Sequence, residues 1–298
     1  MTLVATLIAN PARHAITGAV LSDAREALAT EHPPRLLHHG VAAEFLIDAS
    51  VEQAGTLTAR LEQRFAGEPF DVAVLPAGPH RRKRLFLADM DSTMIEQECI
   101  DELADVLGIK AEVAAITERA MRGEIAFEPA LRERVALLKG LQATVADDLV
   151  ATRITLTPGG RTLVATMKAH GAHTCLVSGG FTLFTGPIAG MIGFDETRAN
   201  RLDLVDGRLA GTIAEPIIGS DAKRATLLDL RERLGLAPED TMAVGDGAND
   251  LAMLGEAGVG VAFRAKPAVT AAARVRIEHG DLTALLYLQG YCAAEFVG

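Results

Sequence analysis

Leu85-Phe86-Leu87-Ala88-Asp89-Met90-Asp91-Ser92-Thr93 decides the reading of this chain, because four apolar residues run straight into two carboxylates set one residue apart. A short apolar run of this kind predicts a buried strand, and side chains along a strand alternate with a period of two. Asp89 and Asp91 can therefore point the same way at its open end if the chain stays extended through Met90. At an effective dielectric near 20, unit charges about 4 Å apart repel by roughly 4 kcal/mol, so such a pair needs a cation or a shared proton. Mg2+ suits hard carboxylate oxygens. A surface Asp-x-Asp turn opening the next helix accounts for the same residues. On this stretch alone the two readings stand level.

Working outward, 298 residues with 49% hydrophobic content predict one large domain or two unequal ones with an ample core. The apolar stretches fall short of the ~20 residues a membrane helix needs, and the first residues show neither a basic leader nor a cleavage site. The expectation is a cytoplasmic protein with no membrane partner. Cys99, Cys175 and Cys292 are odd in number and lack a Cys-x-x-Cys spacing, which predicts reduced thiols rather than disulfides or a zinc knuckle. A formal charge of −10, 4% aromatic content and the lack of tryptophan argue against nucleic acid as a partner. The one dense basic run, Arg81-Arg82-Lys83-Arg84, reads as a solvated linker.

Residues 1–76 read as β-α-β-β-α-β: strands at Leu3 to Ala9, Arg35 to His39, Ala42 to Ile47 and Asp71 to Leu75, with helices at Pro11 to Ala29 and Val51 to Phe65. Asn10-Pro11 suits a cap followed by a first helical residue. The order predicts a small α+β ferredoxin-like domain, joined by a linker over 77–84 to the remainder, 85–298. There, strands at Leu85 to Ala88, Thr174 to Val177, Thr241 to Gly245, Gly258 to Phe263 and Arg274 to Ile277 alternate with helix-compatible sequence. Such alternation predicts an α/β architecture, a Rossmann-like parallel sheet in three layers. The block over about 95–153 carries apolar residues at helical spacing (Leu131, Val135, Leu138) and is too long for one crossover, so it reads as an inserted helical cap. Val205-Asp206-Gly207-Arg208 is a hairpin signal inside a second insertion.

Three more polar clusters fall near predicted strand ends or helix starts. Val177-Ser178-Gly179-Gly180 lets backbone N–H groups approach an anion, although an ordinary turn has the same composition. Lys223 stands near the start of a predicted helix, where the dipole disfavours a cation. Gly245-Asp246-Gly247-Ala248-Asn249-Asp250 ends a strand with one acid and places another a turn later; a helix cap explains Asp250 but not Asp246. Ligands of parallel α/β sheets bind beside the carboxyl ends of the strands, where these groups would meet.

The ordered set Asp-x-Asp-x-Thr, Ser, Lys, Gly-Asp-x-x-x-Asp resembles the haloacid dehalogenase superfamily over about residues 85–298. Within it, Asp89-Met-Asp-Ser-Thr-Met-Ile95, Glu98, Met121-Arg-Gly-Glu124, Phe127 to Val135, Val177 to Phe181 and Gly245 to Leu251 are similar to phosphoserine phosphatases. The resemblance implies hydrolysis of O-phospho-L-serine, the last step of serine biosynthesis. Asp89 would be the nucleophile that forms an aspartyl-phosphate, and Asp91 the acid and then the base. Mg2+ would lie on Asp89, the Asp91 carbonyl and Asp246, with Asp250 beside them. Ser178, Gly179, Lys223 and Asn249 would surround the phosphate. Glu98 would meet the substrate ammonium, Arg134 its carboxylate, and Phe127 would exclude water. Residues 1–76 resemble ACT-like modules, which attaches two further expectations to them: a serine effector and a homodimer. The competing readings are a phosphotransferase, a phosphatase for another small phosphate such as phosphohomoserine, and an amino-acid-sensing protein with a decayed site.

Overall fold

Strand β1 (Thr2–Ala9) is buried along nearly its whole length, and its period of two explains how. Leu3, Ala5, Leu7 and Ala9 pack with helices α1 (Gly18–Leu28) and α2 (Ala54–Arg64), while Ile8 on the other face joins the main core of the molecule. With β2 (Arg35–His38), β3 (Ala42–Asp48) and β4 (Phe70–Pro76) it forms an antiparallel sheet in the order β2-β3-β1-β4. The computed structural model describes residues 2–122 and 124–298; Gly123 of the Met121 to Glu124 motif, and the Met121 side chain, lie outside it.

Helix α1 starts at Gly18, not at Pro11. Thr17 caps it by accepting from the Val20 amide (3.4 Å), and His14 sits in the left-handed region (φ 44°), which interrupts any earlier start. Asn10 is used otherwise: its Oδ1 accepts from Ala12 N and its Nδ2 donates to the His279 carbonyl, both at 2.9 Å.

The second sheet begins with β5 (Leu85–Ala88). Helices α3 (Cys99–Val106), α4 (Lys110–Met121), α5 (Phe127–Leu137) and α6 (Val145–Thr152) follow as a block, then α7 (Gly160–Ala169), β6 (His173–Phe181), α8 (Thr182–Ile192) and β7 (Glu196–Asn200). A hairpin of β8 (Leu202–Val205) and β9 (Arg208–Ile213) precedes α9 (Ser220–Arg233), β10 (Thr241–Gly245), α10 (Leu251–Glu256), β11 (Val259–Phe263), α11 (Pro267–Ala272), β12 (Val275–Ile277) and α12 (Ala284–Leu288). The strands pair in parallel in the order β12-β11-β10-β5-β6-β7. Chain order runs outward in opposite directions from β5 and β10, so the crevice between their carboxyl ends is the topological switch point. Strand β7 was not among the expected ones: Glu196-Thr-Arg-Ala-Asn200 lies at the sheet edge, where charge is tolerated and an apolar signal is absent.

The two connections of the α3–α6 cap run side by side, with Glu96 N donating to Thr155 O and Thr157 N to Met94 O, each at 3.0 Å. Asp206 and Gly207 both have φ > 0, as a two-residue hairpin turn demands, and the β8–β9 hairpin braces α5 through hydrogen bonds between Leu209 and residues 140–141. No helix among the described residues is long and apolar enough to cross a membrane.

The two sheets are joined by buried polar contacts. The Asp71 carboxylate, at the start of β4, accepts from the amides of Glu278, His279 and Gly280 at 2.7–3.2 Å. Glu44 of β3 is buried between Arg35 and Arg81 (2.6 Å each), whose other nitrogens reach the carbonyls of Gly290 and Leu288. Because the buried Asp71 carboxylate is the acceptor for three amides, that of Gly280 fully buried, Asp71→Ala is expected to destabilise the chain by about 2–4 kcal/mol, read by denaturant unfolding. A loss under 0.5 kcal/mol would mean that water replaces the carboxylate freely.

Candidate active site

Strand β5 delivers Asp89 into the switch-point crevice, and the main-chain pairing continues one step beyond the strand, with Asp89 N donating to Val244 O at 3.0 Å. Its side chain is nearly closed to solvent; Oδ1 accepts from Met90 N (2.8 Å) and pairs with Lys223 Nζ (2.7 Å), which leaves the second oxygen for other work. The backbone is helical at Met90, extended at Asp91 and then turns sharply at Ser92 (φ 56°), a left-handed conformation costly for a non-glycine residue. The Ser92 hydroxyl donates to Glu98 Oε1 at 2.9 Å, so the turn ties the loop to the cap's first residues.

Beside it, β10 delivers Asp246, and the next turn brings Asp250 back over Gly245. A Cβ on Gly245 would stand 2.3 Å from the Asp250 carboxyl carbon, so glycine is required there by space alone. Asp250 is fully buried; one oxygen pairs with Lys223 (2.7 Å) and the other accepts from Gly247 N (3.1 Å). Carboxylate oxygens of Asp89, Asp246 and Asp250 lie within 4.8 Å of one another. The Asp91 carboxylate stands outside this trio, beside Cys99, whose amide donates to it at 3.4 Å, and near Gly180 and Ser178.

Lys223, in the first turn of α9, is wholly buried and bridges Asp89 to Asp250. Burial alone would lower its pKa, but the two carboxylates overcome that and hold it above the ordinary lysine value. Burial, then the Asp89 charge, pushes Asp250 up to about 7. Burial, with Glu98 and Asp89 as neighbours, holds Asp91 well above the carboxylate range, and burial likewise raises Glu98 and Asp246. A carboxyl whose pKa is raised holds its proton more readily, as a general acid must.

Ser178, at the end of β6, is buried and its Oγ accepts from Gly180 N at 2.8 Å. Its own O–H is thereby free to donate outward. Asn200, which belongs to none of the motifs above, holds this corner: Nδ2 donates to the carbonyls of Gly179 (2.8 Å) and Ile218 (3.1 Å), and Oδ1 accepts from Ile218 N (2.7 Å). It therefore ties the irregular stretch of β6 after Ser178 to the segment entering α9 and Lys223. Its only sequence signal is an asparagine closing a strand that was itself not foreseen.

Asn249 is half-buried, its amide oxygen close over Gly247. Phe127 at the start of α5 is 37% exposed, yet its ring seats on the core: Cβ atoms added at Gly179 and Gly219 would stand 3.4 and 3.3 Å from it. The cap thus touches the core through an aromatic ring lodged where two glycines leave room. Arg134, largely desolvated, donates to Thr117 Oγ1 (3.2 Å) and Ala130 O (3.3 Å), and its charge faces Asp101 and Glu98. Cys99, Cys175 and Cys292 are free thiols.

A family model for haloacid dehalogenase-like hydrolases matches residues 86–255, and the chain belongs to that family. Its relatives there carry a narrower name. A phosphoserine phosphatase of Polaromonas sp. is 49% identical over 210 residues, covering 69% of this chain and 89% of that protein. Among solved structures, a probable phosphoserine phosphatase from Vibrio cholerae superimposes with a TM-score of 0.79 at 32% identity, covering 99% of this chain and 88% of that one. A substrate-bound phosphoserine phosphatase gives 0.64 at 40% identity, over 69% of this chain and 98% of that one.

Proposed function

We propose that this site hydrolyses O-phospho-L-serine to L-serine and phosphate, with Mg2+ as cofactor and Asp89 and Asp91 as the catalytic pair. The observation that carries the reading is the buried Lys223 locked between Asp89 and Asp250, at a crevice that also holds Asp246 and Ser178. The free oxygen of Asp89 forms a bond to phosphorus as the bond to the serine oxygen breaks. Asp91 gives that oxygen its proton, because an alkoxide is a poor leaving group. Water then attacks the aspartyl-phosphate while Asp91 takes back a proton, releasing phosphate and restoring the Asp89 carboxylate. Lys223, the Ser178 hydroxyl and the Gly179 amide supply positive ends to the phosphoryl oxygens, with Asn249 beside them.

An all-oxygen set fits a hard divalent ion better than zinc or copper. Asp89, Asp246 and the Asp91 carbonyl would hold it, with Asp250 behind them fixing Lys223. When bound, Mg2+ neutralises phosphoryl charge and shields the nucleophile. The same proposal gives Glu98 the substrate's ammonium, Arg134 its carboxylate, and Phe127 the exclusion of water. It also assigns the enzyme to the cytoplasm and to serine biosynthesis. Serine binding and pairing of two copies through residues 1–76 complete it, supported by the ferredoxin-like strand order there; calorimetry of the full chain with serine, and its mass in solution, test them.

The substrate assignment is tested by turnover of phosphoserine, phosphothreonine and a non-amino-acid phosphomonoester, with and without a chelator. Phosphoserine is expected to lead and the chelator to stop it; equal rates on all three would sink the assignment. Arg134→Lys is expected to raise KM for phosphoserine roughly 10- to 100-fold with a smaller change in kcat, since an ammonium cannot grip a carboxylate bidentately.

A further inference from the structure

Lys266 belongs to none of the motifs above. It caps the N-terminus of α11, where the helix dipole disfavours a cation, so the helix gives no reason for it. Its backbone amide donates to the Asp246 carbonyl at 2.9 Å, which pins the loop after β11 against the end of β10. Its ammonium stands 3.5 Å from Asp246 Oδ2 and also faces Glu98 and Asp89. Lys223 and Lys266 thus flank the acids differently. The first is sealed between Asp89 and Asp250; the second is half exposed and lies on the Glu98 side of Asp246.

We propose that Lys266 is a positioning residue that sets how tightly the acid trio holds its divalent ion. A fixed positive charge beside Asp246 partly neutralises the site when metal is away and opposes the metal when it arrives. It keeps the acids from trapping the ion, at the expense of affinity. The inference rests on the metal reading given above and concerns a residue that reading does not use.

Magnesium titrated calorimetrically into the full-length chain at pH 8 separates the two. Lys266→Met is expected to bind Mg2+ about tenfold tighter, the order for removing a unit charge that lies next to one of the ion's carboxylates in a solvent-exposed rim. Lys266→Arg, which keeps the charge, should stay within about twofold of the wild type by the same argument. A structural lysine predicts the opposite sign, so unchanged or weaker binding by Lys266→Met, or by Lys266→Gln should the first variant melt early, overturns the inference. If the wild type itself binds no Mg2+, or Asp246→Asn binds it as well as the wild type, the metal reading fails instead.

Discussion

Asp89→Asn is expected to lower kcat on phosphoserine by about 10⁴-fold or more, because an amide cannot form the acyl-phosphate and removing a nucleophile leaves only binding and electrostatics. The fold should survive, since Asn keeps one oxygen for Met90 N, while its NH2 takes the place of the free oxygen and weakens the hold on the ion. The fully buried Lys223 would lose one of its two carboxylates, so some stability loss accompanies the change. The measurement is acid-quenched enzyme after mixing with radiolabelled phosphoserine: the wild type should retain acid-stable, base-labile label and the variant none. Substantial Mg2+-dependent turnover by the variant, once deamidation of the new Asn is excluded by mass spectrometry, would refute nucleophilic catalysis by Asp89.

The second large effect is expected from Asp91→Asn. The raised pKa of Asp91 comes first from burial and then from the Glu98 charge, and it favours the protonated form that a general acid needs. Removing that proton should cost about 10²- to 10⁴-fold on phosphoserine. An aryl phosphate such as p-nitrophenyl phosphate has a leaving group that needs no proton, so its first step should be nearly spared. The second step still lacks its base. The variant should therefore show a burst of nitrophenolate and then accumulate phosphoenzyme. Equal losses on both substrates with no burst would remove Asp91 from the role of acid.

What the sequence disclosed and what it withheld follow from how far each signal reaches along the chain. The class of fold was legible because an apolar run ending in an acid is a local pattern, repeated at Asp89 and Asp246 in strands the sheet sets side by side. The hairpin at Asp206-Gly207 was legible for the same reason. Strand β7 was hidden because an edge position removes the apolar pressure that marks a strand, and Asn200 was hidden with it. The start of α1 was misplaced because the Asn10 side chain answers to His279, 269 positions away, rather than to its own helix. Asp71 and Glu44 look like ordinary strand acids until the loop at 278–280 and the guanidinium groups of Arg35 and Arg81 supply their partners. Asp91 shares the Asp-x-Asp pattern with Asp89, yet the backbone is helical rather than extended at Met90 between them, and only the Asp89 carboxylate joins Asp246 and Asp250.

The seam at Asp71 makes the enzyme harder to dissect than its two sheets suggest. A shortened chain starting at residue 77 would strip the acceptor from three amides of 278–280 and the carboxylate from Arg81. The loop left slack does not stop there. It runs on to Leu282, whose amide holds the Pro158 carbonyl beside the exit from the cap. Kinetic differences between a severed and an intact enzyme would therefore report a loosened cap root as readily as a lost sensor, and only point changes in the whole molecule tell those apart.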